Sequence, residues 1–522
     1  MFMKHRFRKS KYLLGGFIFA LTVLIFIAGC TSPEYENSYA PCVLYEPQET
    51  DTPRETLEST EAHEPQETAP AQTEPTIQHE SRIPLDVAAA YFSKLQAIWD
   101  EDDGALWGIP LHTPIIFACP MTRHAVANMP DPEGLLQRQN DVYVGILPQG
   151  VIIASTAADF NGLRWGMMSW DMVEMTHSFG GSALRTLAHE AFHAIQGQVV
   201  SGAKSGMDDY GYYFHMLPIF HRNHKNLLDV RISITLEQAA LFAAVRTSGD
   251  ERMTAIHDAL SIRYDRRRRH PEMANRENAY EILEGLATFT DQMLVSDSRD
   301  EMIAFFQATA SDINAFGYTT GALYSLLLEE AGADWKGEIT WITDLGYLLK
   351  QHLGIAELTA FEQLNLEPYG YDEITAIHTA WVENFNAMMD GAREAMLTQP
   401  TLDLVGGFTI DFFAAVNAGG MLRIEDIFIP NDDPAGRPLG VRHGNFAIYG
   451  SNWRLGFVQY GYVSYITHPG YGIVGISIGG AIDIEINEDG SRAASPTWEL
   501  VLTDDNYMIQ ATPNGLVEIV RR

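Results

Sequence analysis

The sequence has few cysteines and few basic residues. It contains three cysteines in 522 residues, Cys30, Cys42 and Cys119, and it has 35 Lys and Arg residues against 68 Asp and Glu residues. So few cysteines do not indicate a disulfide framework, and none of them lies in a metal-binding pattern. The net charge of −33 excludes generic nucleic-acid binding, which needs a basic surface. The length allows two or three domains.

A cluster of basic residues does occur at the N-terminus. Residues 1–11 hold five Lys or Arg residues and no acid, and a mainly apolar run follows from Tyr12 to Ala28. This order is typical of an export signal. The run ends in Ile27-Ala28-Gly29-Cys30, which resembles the lipobox of bacterial lipoproteins. The resemblance implies a signal peptide over 1–29 and lipidation of Cys30 on the outer face of a bacterial cell membrane. The alternative is an uncleaved membrane anchor.

The segment after Cys30 is acidic and poor in large apolar residues. Residues 31–82 carry twelve acids against Arg54 and Arg82, and they are rich in Glu, Pro, Thr and Gln. Such a composition cannot bury a core, and its charges repel one another. We therefore expect residues 30–82 to be a disordered tether that holds a folded enzyme off the membrane. A binding tail is the alternative.

The strongest chemical signal is His189-Glu190-Ala191-Phe192-His193, an HExxH sequence in a predicted amphipathic helix with Ser182 as its N-cap. Histidines four residues apart share one helical face, so both imidazoles can reach one metal ion. Glu190 can then hold a water at the metal and take its proton. The alternative is two core histidines, although a buried glutamate beside them would be costly without a cation.

A zinc hydrolase site needs a third protein ligand and an open fourth position. Gln196 and Val199 occupy the offsets at which metzincins carry a glycine and a third histidine, which excludes that class. The best candidate ligand is Glu284, in a predicted helix over 280–289. Its small neighbours Gly285 and Ala287 would let that helix pack closely against the HExxH helix.

Two other acidic positions remain open as ligands. Glu237 lies on an otherwise apolar predicted helix, where it could instead hydrogen-bond to a metal ligand from behind. Asp208 and Asp209 precede Tyr210-Gly211 and loosely resemble the aspartate ligand of another zincin class.

Two further features could contact substrate. Tyr318, between Gly317 and Gly321, is a candidate hydrogen-bond donor to an oxyanion, with a core tyrosine as the alternative. The basic run over 264–270 could clamp a substrate carboxylate, or it could be a solvated helix face that pairs with nearby acids.

The sequence HEAFH followed by EGLATF resembles the gluzincin group of zinc metallopeptidases. More narrowly, it is similar to bacterial proteins with an HExxHxxQ helix, a preceding hairpin like residues 158–165 and an EGLAEY-like segment. The likeness runs from about residue 83 to the C-terminus. It implies a zincin-like fold, zinc ligands His189, His193 and Glu284, and Glu190 as general base. Thr288 and Phe289 depart from the usual acid and Tyr, which puts a supporting carboxylate there in doubt.

The predicted elements are consistent with an α+β fold. We expect a helix over 84–99, three antiparallel strands over 141–147, 151–160 and 163–173, and mostly helices over 183–395. The strand over 151–160 is our candidate for the sheet edge that binds extended peptide, with an ordinary buried hairpin as the alternative. Short alternating segments follow Thr401. The expected layout is a mostly helical, zincin-like catalytic domain with a small antiparallel sheet over 83–400 and a β-rich domain over 401–522.

These features together predict a membrane-anchored, extracytoplasmic zinc peptidase whose partner is a peptide or protein substrate. A surface lipoprotein with a binding or structural role is one alternative. A zincin-fold hydrolase of a non-peptide amide is another, because substrate specificity depends on pocket shape.

Overall fold

The computed structural model describes residues 83–178 apart from 121, 149, 150 and 152, residues 182–202, residues 227–398 apart from 311 and 312, and separate segments between 402 and 521. Cys30, the acidic tether, and Asp208 and Asp209 lie outside the described residues. None of the described helices has the length and apolar character needed to cross a membrane.

The first part of the fold is a helix and a six-stranded sheet. Helix α1 spans Leu85–Asp102, which confirms the predicted helix and extends it. The strand order is β3-β4-β2-β1-β6-β5, in which β1 and β6 are parallel and the other neighbours are antiparallel. The strands are β1 Ile115–Ala118, β2 His124–Ala127, β3 Gln137–Gln139, β4 Val142–Ile146, β5 Thr156–Phe160 and β6 Leu163–Ser169.

The hairpin between β5 and β6 was predicted correctly. It turns at Asn161 and Gly162, whose φ angles are 46° and 76°, as a tight primed turn requires. The expectation that β4 joins this hairpin is wrong, because β4 pairs with β2 and β3. Strand β1 separates the two groups, and all four of its residues are buried, so it lacks the alternation that marks a half-exposed strand. Strand β5 lies at the sheet edge.

The helices that follow pack around a large apolar core. Helix α3 contains the HExxH sequence and lies directly on β6, since a Cβ added at Gly166 would be 2.8 Å from the Cα of Ala191. A π-helical turn at Glu281–Gly285 connects α6 to α7. The helices are α2 Trp170–Ser178, α3 Ala183–Val199, α4 Leu228–Arg246, α5 Gly249–Arg269, α6 Ala274–Tyr280, α7 Leu286–Val295, α8 Arg299–Thr309, α9 Phe316–Glu330, α10 Leu345–His352 and α11 Tyr371–Thr398.

Strands β7 to β18 follow between Leu402 and Arg521, where short alternating segments predicted strands. They form two five-stranded sheets and a two-stranded one, all antiparallel. The strands are β7 Leu402–Val405, β8 Ile427–Phe428, β9 Leu439–His443, β10 Phe446–Tyr449, β11 Trp453–Phe457, β12 Tyr460–His468, β13 Gly472–Ile478, β14 Glu485–Ile486, β15 Arg492–Ala494, β16 Trp498–Leu502, β17 Tyr507–Ala511 and β18 Val517–Arg521. The fold is therefore mixed helix and strand; its division into two domains stays a prediction.

Candidate metal centre

Three predicted ligand residues meet at one point. The Nε2 atoms of His189 and His193 are 3.1 Å apart, and Oε2 of Glu284 lies 3.2 Å from the first and 3.4 Å from the second. Two ligand atoms bound at about 2.0–2.1 Å to a tetrahedral metal lie about 3.3–3.4 Å apart. The three side chains therefore form a group that could hold a metal ion, the one group of its kind among the described residues.

Each imidazole makes a hydrogen bond through its Nδ1, and this bond determines whether its Nε2 can act as a metal ligand. Nδ1 of His189 lies 3.0 Å from Oδ2 of Asp291, and an ionised carboxylate can only accept a hydrogen bond. In a neutral imidazole, the nitrogen that faces an acceptor carries the proton and the other nitrogen carries a lone pair. Nδ1 of His189 faces an acceptor, so its Nε2 carries the lone pair. Nδ1 of His193 likewise faces an acceptor, the side-chain oxygen of Gln196.

Gln196 is buried, and its amide orientation is set by two backbone carbonyls. Its Nε2 donates to the carbonyls of Ile282 and Leu283 at 2.7 and 2.9 Å. Its Oε1 therefore faces Nδ1 of His193, 3.0 Å away, and accepts a hydrogen bond from it. Two imidazole lone pairs and a carboxylate oxygen thus converge on one point. Three acceptors this close repel one another unless a cation lies among them.

The electrostatics of the site favour that cation. Burial lowers the pKa of His189, but its hydrogen bonds to Asp291 and Glu284 and the charge of Glu190 outweigh burial and raise the pKa to about 10. Burial also raises the pKa of Asp291, against the opposing effect of His189. The surroundings of His189 therefore stabilise a positive charge, which either a proton or a metal ion can supply.

Glu190 lies on α3 beside the first histidine and is buried. Burial is the main cause that raises the pKa of its carboxyl, while His189 and His193 act in the opposite direction. Among the described residues, no side chain donates a hydrogen bond to it. A buried carboxylate without a protein partner beside the two histidines can accept a proton from a water in the site.

Glu284 is carried by the π turn, a rare conformation that occurs mostly as single turns at functional sites. Gly285 faces α9 in this turn, because a Cβ added there would lie 2.5 Å from the Cα of Gly321. The expected close packing against the HExxH helix is confirmed for α7, which packs on α3, but Gly285 does not take part in it. Its missing side chain instead lets the π turn contact the backbone of α9.

Tyr318, on α9, lies beside the ligands. Its ring stacks on that of His189 with centroids 5.8 Å apart and planes 16° from parallel. Burial first, and then the charge of Glu284 together with a hydrogen bond to it, raise the pKa of the phenol well above its usual value. The hydroxyl therefore stays protonated at neutral pH, and its single proton is donated to Glu284 unless another acceptor in the site takes over that hydrogen bond.

Glu237 lies away from the ligands. It is fully buried and accepts hydrogen bonds from Arg263 at 3.0 Å, Arg266 at 2.6 Å and the hydroxyl of Tyr324 at 2.8 Å. None of its recorded bonds within the described residues goes to a ligand, so it does not orient one directly. The position behind His189 belongs to Asp291 instead.

The basic run on α5 is part of the same buried network. Arg263, just before the run, binds Glu281 with two nitrogens, and Arg266 binds Glu277 in the same way. Arg267 pairs with Glu277 and Asp344. The prediction that the run pairs with acids is confirmed, but Arg266 and Arg267 do so in the interior rather than in solvent.

The supporting roles of Asp291 and Gln196 were missed at the sequence level, although spacing could have indicated both. Asp291 lies seven residues after Glu284, two helical turns on and hence on a similar face. Gln196 lies three residues after His193, within one turn of it.

No protein-family model matches the chain, and no curated protein or solved structure matches it either. The likeness to gluzincins therefore rests on the motifs alone.

Proposed function

We propose that this chain is a zinc-dependent peptidase anchored to the outer face of a bacterial membrane. The observation that carries the proposal is the convergence of His189 Nε2, His193 Nε2 and Glu284 Oε2 within 3.1–3.4 Å. Two imidazoles and one carboxylate leave one of four tetrahedral positions open, as in catalytic rather than structural zinc sites. Zinc is favoured because this donor set suits it well.

A zinc ion in this site would act as a Lewis acid on a water and on the substrate carbonyl. Glu190 is placed to take a proton from the attacking water and to return it to the leaving amine. Tyr318 is placed to donate a hydrogen bond to the oxygen on which negative charge develops. Asp291 holds the imidazole of His189 so that Nε2 faces the metal.

Strand β5 supports a peptide as the substrate. It is one of the two edge strands of the sheet, is paired within the described residues with β6 alone, and also packs against the HExxH helix. An open strand edge can bind an extended peptide through main-chain hydrogen bonds. A non-peptide amide would not use this edge, so the two substrate classes can be separated by experiment.

The proposed location depends on the N-terminal sequence. A basic segment, an apolar run and the sequence before Cys30 together favour export and lipid attachment. Replacement of Cys30 by Ser should release the protein from the membrane fraction and abolish metabolic labelling with palmitate. Labelling that persists in this variant would contradict lipidation at Cys30.

The enzymatic proposal is tested on the full-length protein purified in detergent. We expect about one zinc per chain by elemental analysis, and cleavage of members of a mixed peptide library by mass spectrometry. Glu190→Gln should retain zinc and lose turnover, since the amide cannot accept the proton. Glu251→Gln, the same change at an exposed position of α5, should leave both unchanged.

Three results would contradict the proposal. Absence of zinc would remove the mechanism. Unchanged cleavage by Glu190→Gln would exclude this residue as the general base. Zinc without peptide cleavage would favour a binding role or a non-peptide amide substrate.

A further inference from the structure

We propose that Gln196 is a positioning residue that couples the second metal ligand, His193, to the turn that carries the third, Glu284. The inference rests on the proposed metal site and adds a residue that acts through the ligands without touching the metal.

The contacts of Gln196 span two elements of the fold. Gln196 lies on α3, is 1 % exposed, and accepts a hydrogen bond from Nδ1 of His193 with its Oε1. With its Nε2 it donates to the carbonyls of Ile282 and Leu283, the two residues that precede Glu284 in the π turn. One planar amide therefore fixes the imidazole of one ligand and the backbone beside another.

The amide of Gln196 thus connects the imidazole of His193 to the backbone next to Glu284 through hydrogen bonds. The amide oxygen and nitrogen are held in one plane, so a shift of the turn would move the amide and the imidazole together. Nε2 of His193 and Oε2 of Glu284 are 3.4 Å apart, close to the separation that a tetrahedral metal requires. Gln196 thus keeps the two ligands at a fixed separation before any metal binds.

A simpler role for Gln196 would be to fix the tautomer of His193 alone. The two roles predict opposite effects for Gln196→Glu measured at a pH high enough to ionise the new carboxyl. A carboxylate still accepts from Nδ1 and raises the basicity of the imidazole, so the simpler role predicts equal or tighter zinc binding. Our proposal predicts weaker binding, because the carboxylate cannot donate to Ile282 and Leu283 and repels their carbonyls.

Zinc affinity of the full-length protein, measured by competition with a chelator, decides between them. We expect Gln196→Glu to bind zinc about 10- to 100-fold more weakly than the unchanged protein. Gln196→Met loses both interactions without adding a buried charge and should weaken binding over the same range, so full zinc affinity in this variant would overturn the proposal even if the glutamate variant does not fold. Gln238→Met is the matched control, since Gln238 is also buried in a helix and its amide nitrogen has no partner among the described residues.

A spectroscopic readout separates positioning from a general loss of stability. The visible absorption of the cobalt(II)-loaded protein reports the geometry of the ligands. It should change in both Gln196 variants and not in Gln238→Met. If the unchanged protein binds no zinc, the proposed function fails. If it binds zinc and either Gln196 variant retains full affinity and the same cobalt spectrum, this inference alone is overturned.

Discussion

Glu281 and Glu284 lie three residues apart in one π turn and bind partners on different sides of it. Glu281 is held by the guanidinium of Arg263, and Oε2 of Glu284 lies 3.2 Å from Nε2 of His189. A regular α-helix, at about 100° per residue, places such a pair only about 60° apart around its axis. The wider π turn increases that angle. The same turn can therefore contribute Glu281 to a buried charge network and Glu284 to the candidate metal site.

Arg263→Met should destabilise the protein and weaken zinc binding. Arg263 is 2 % exposed and pairs with Glu237, Glu281 and Asp344, so its loss removes a buried cation that three carboxylates share and leaves fewer positive charges to offset them. Breaking a buried pair in this way costs about 3–5 kcal/mol of unfolding free energy, measurable by urea denaturation. In Arg268→Met, which removes a side chain that is 60 % exposed, the loss should stay below about 1 kcal/mol. Similar losses in the two variants would show that the buried network does not anchor the π turn.

Gly321→Ala should displace the π turn. A Cβ at this position would lie 2.6 Å from the backbone oxygen of Glu281, which is too close for two non-bonded atoms. The backbone of α9 or of the π turn would therefore have to shift. We expect a loss of about 1–3 kcal/mol in unfolding free energy and a lower zinc affinity. Gly197→Ala, at an exposed position of α3 with open space around it, should instead stabilise the protein by about 0.5–1 kcal/mol. A neutral effect of Gly321→Ala on both quantities would contradict close contact between α9 and the turn.

Tyr318→Phe should retain zinc and lower kcat by about 100-fold with little change in KM. The phenyl ring preserves the stacking on His189, and only the hydroxyl donor is lost. Steady-state kinetics on a cleaved peptide, together with zinc titration, measure both effects. If zinc affinity falls and kcat does not, the hydroxyl serves to hold Glu284 rather than to stabilise the transition state.

His378 should make stability depend on pH between about 4 and 6.5. It lies on α11, where Nε of Arg231 donates to its Nδ1 and Thr235 contacts its Nε2. Burial and the charge of Arg231 lower its pKa to about 4. The unfolded chain therefore binds the proton more readily, so this stability is complete above about pH 6.5 and is lost as the pH falls towards 4.

The loss between pH 7 and pH 5 should be about 1–2 kcal/mol, given about 1.4 kcal/mol per pH unit. Urea denaturation at several pH values measures it. His378→Gln should reduce the slope of unfolding free energy against pH over this range, and an unchanged slope would show that another group is responsible.

The parts of the fold that could be predicted are those with a strong local pattern. The HExxH helix has an apolar stripe, and the β5–β6 hairpin has the Asn161-Gly162 turn, so both follow from neighbouring residues. Strand β1 was missed because its four residues are all buried, and such a run does not distinguish a central strand from a core helix.

The three candidate metal ligands could be predicted because they belong to short motifs, whereas their surroundings depend on contacts between distant segments. The π turn is held by Arg263, Gln196 and Gly321, which come from three other helices. Nothing in the local sequence of residues 281–285 distinguishes a π turn from an α-helix. The partners of Glu237 were missed for the same reason, since its arginine partners come from the next helix.

The described residues pair β5 on one side only, with β6, and this has a consequence for the behaviour of the protein in solution. An unpaired strand edge is a template on which a second molecule can add a strand, and this is a common route to aggregation. Asp159 is the fourth of the five residues of β5, with 78 % of its side chain exposed, and it is paired with Arg164 across the hairpin. A charge at this place opposes pairing with an identical edge, where Asp159 would approach its own copy. The edge can therefore accept a strand of different sequence while it opposes association of identical molecules at high concentration.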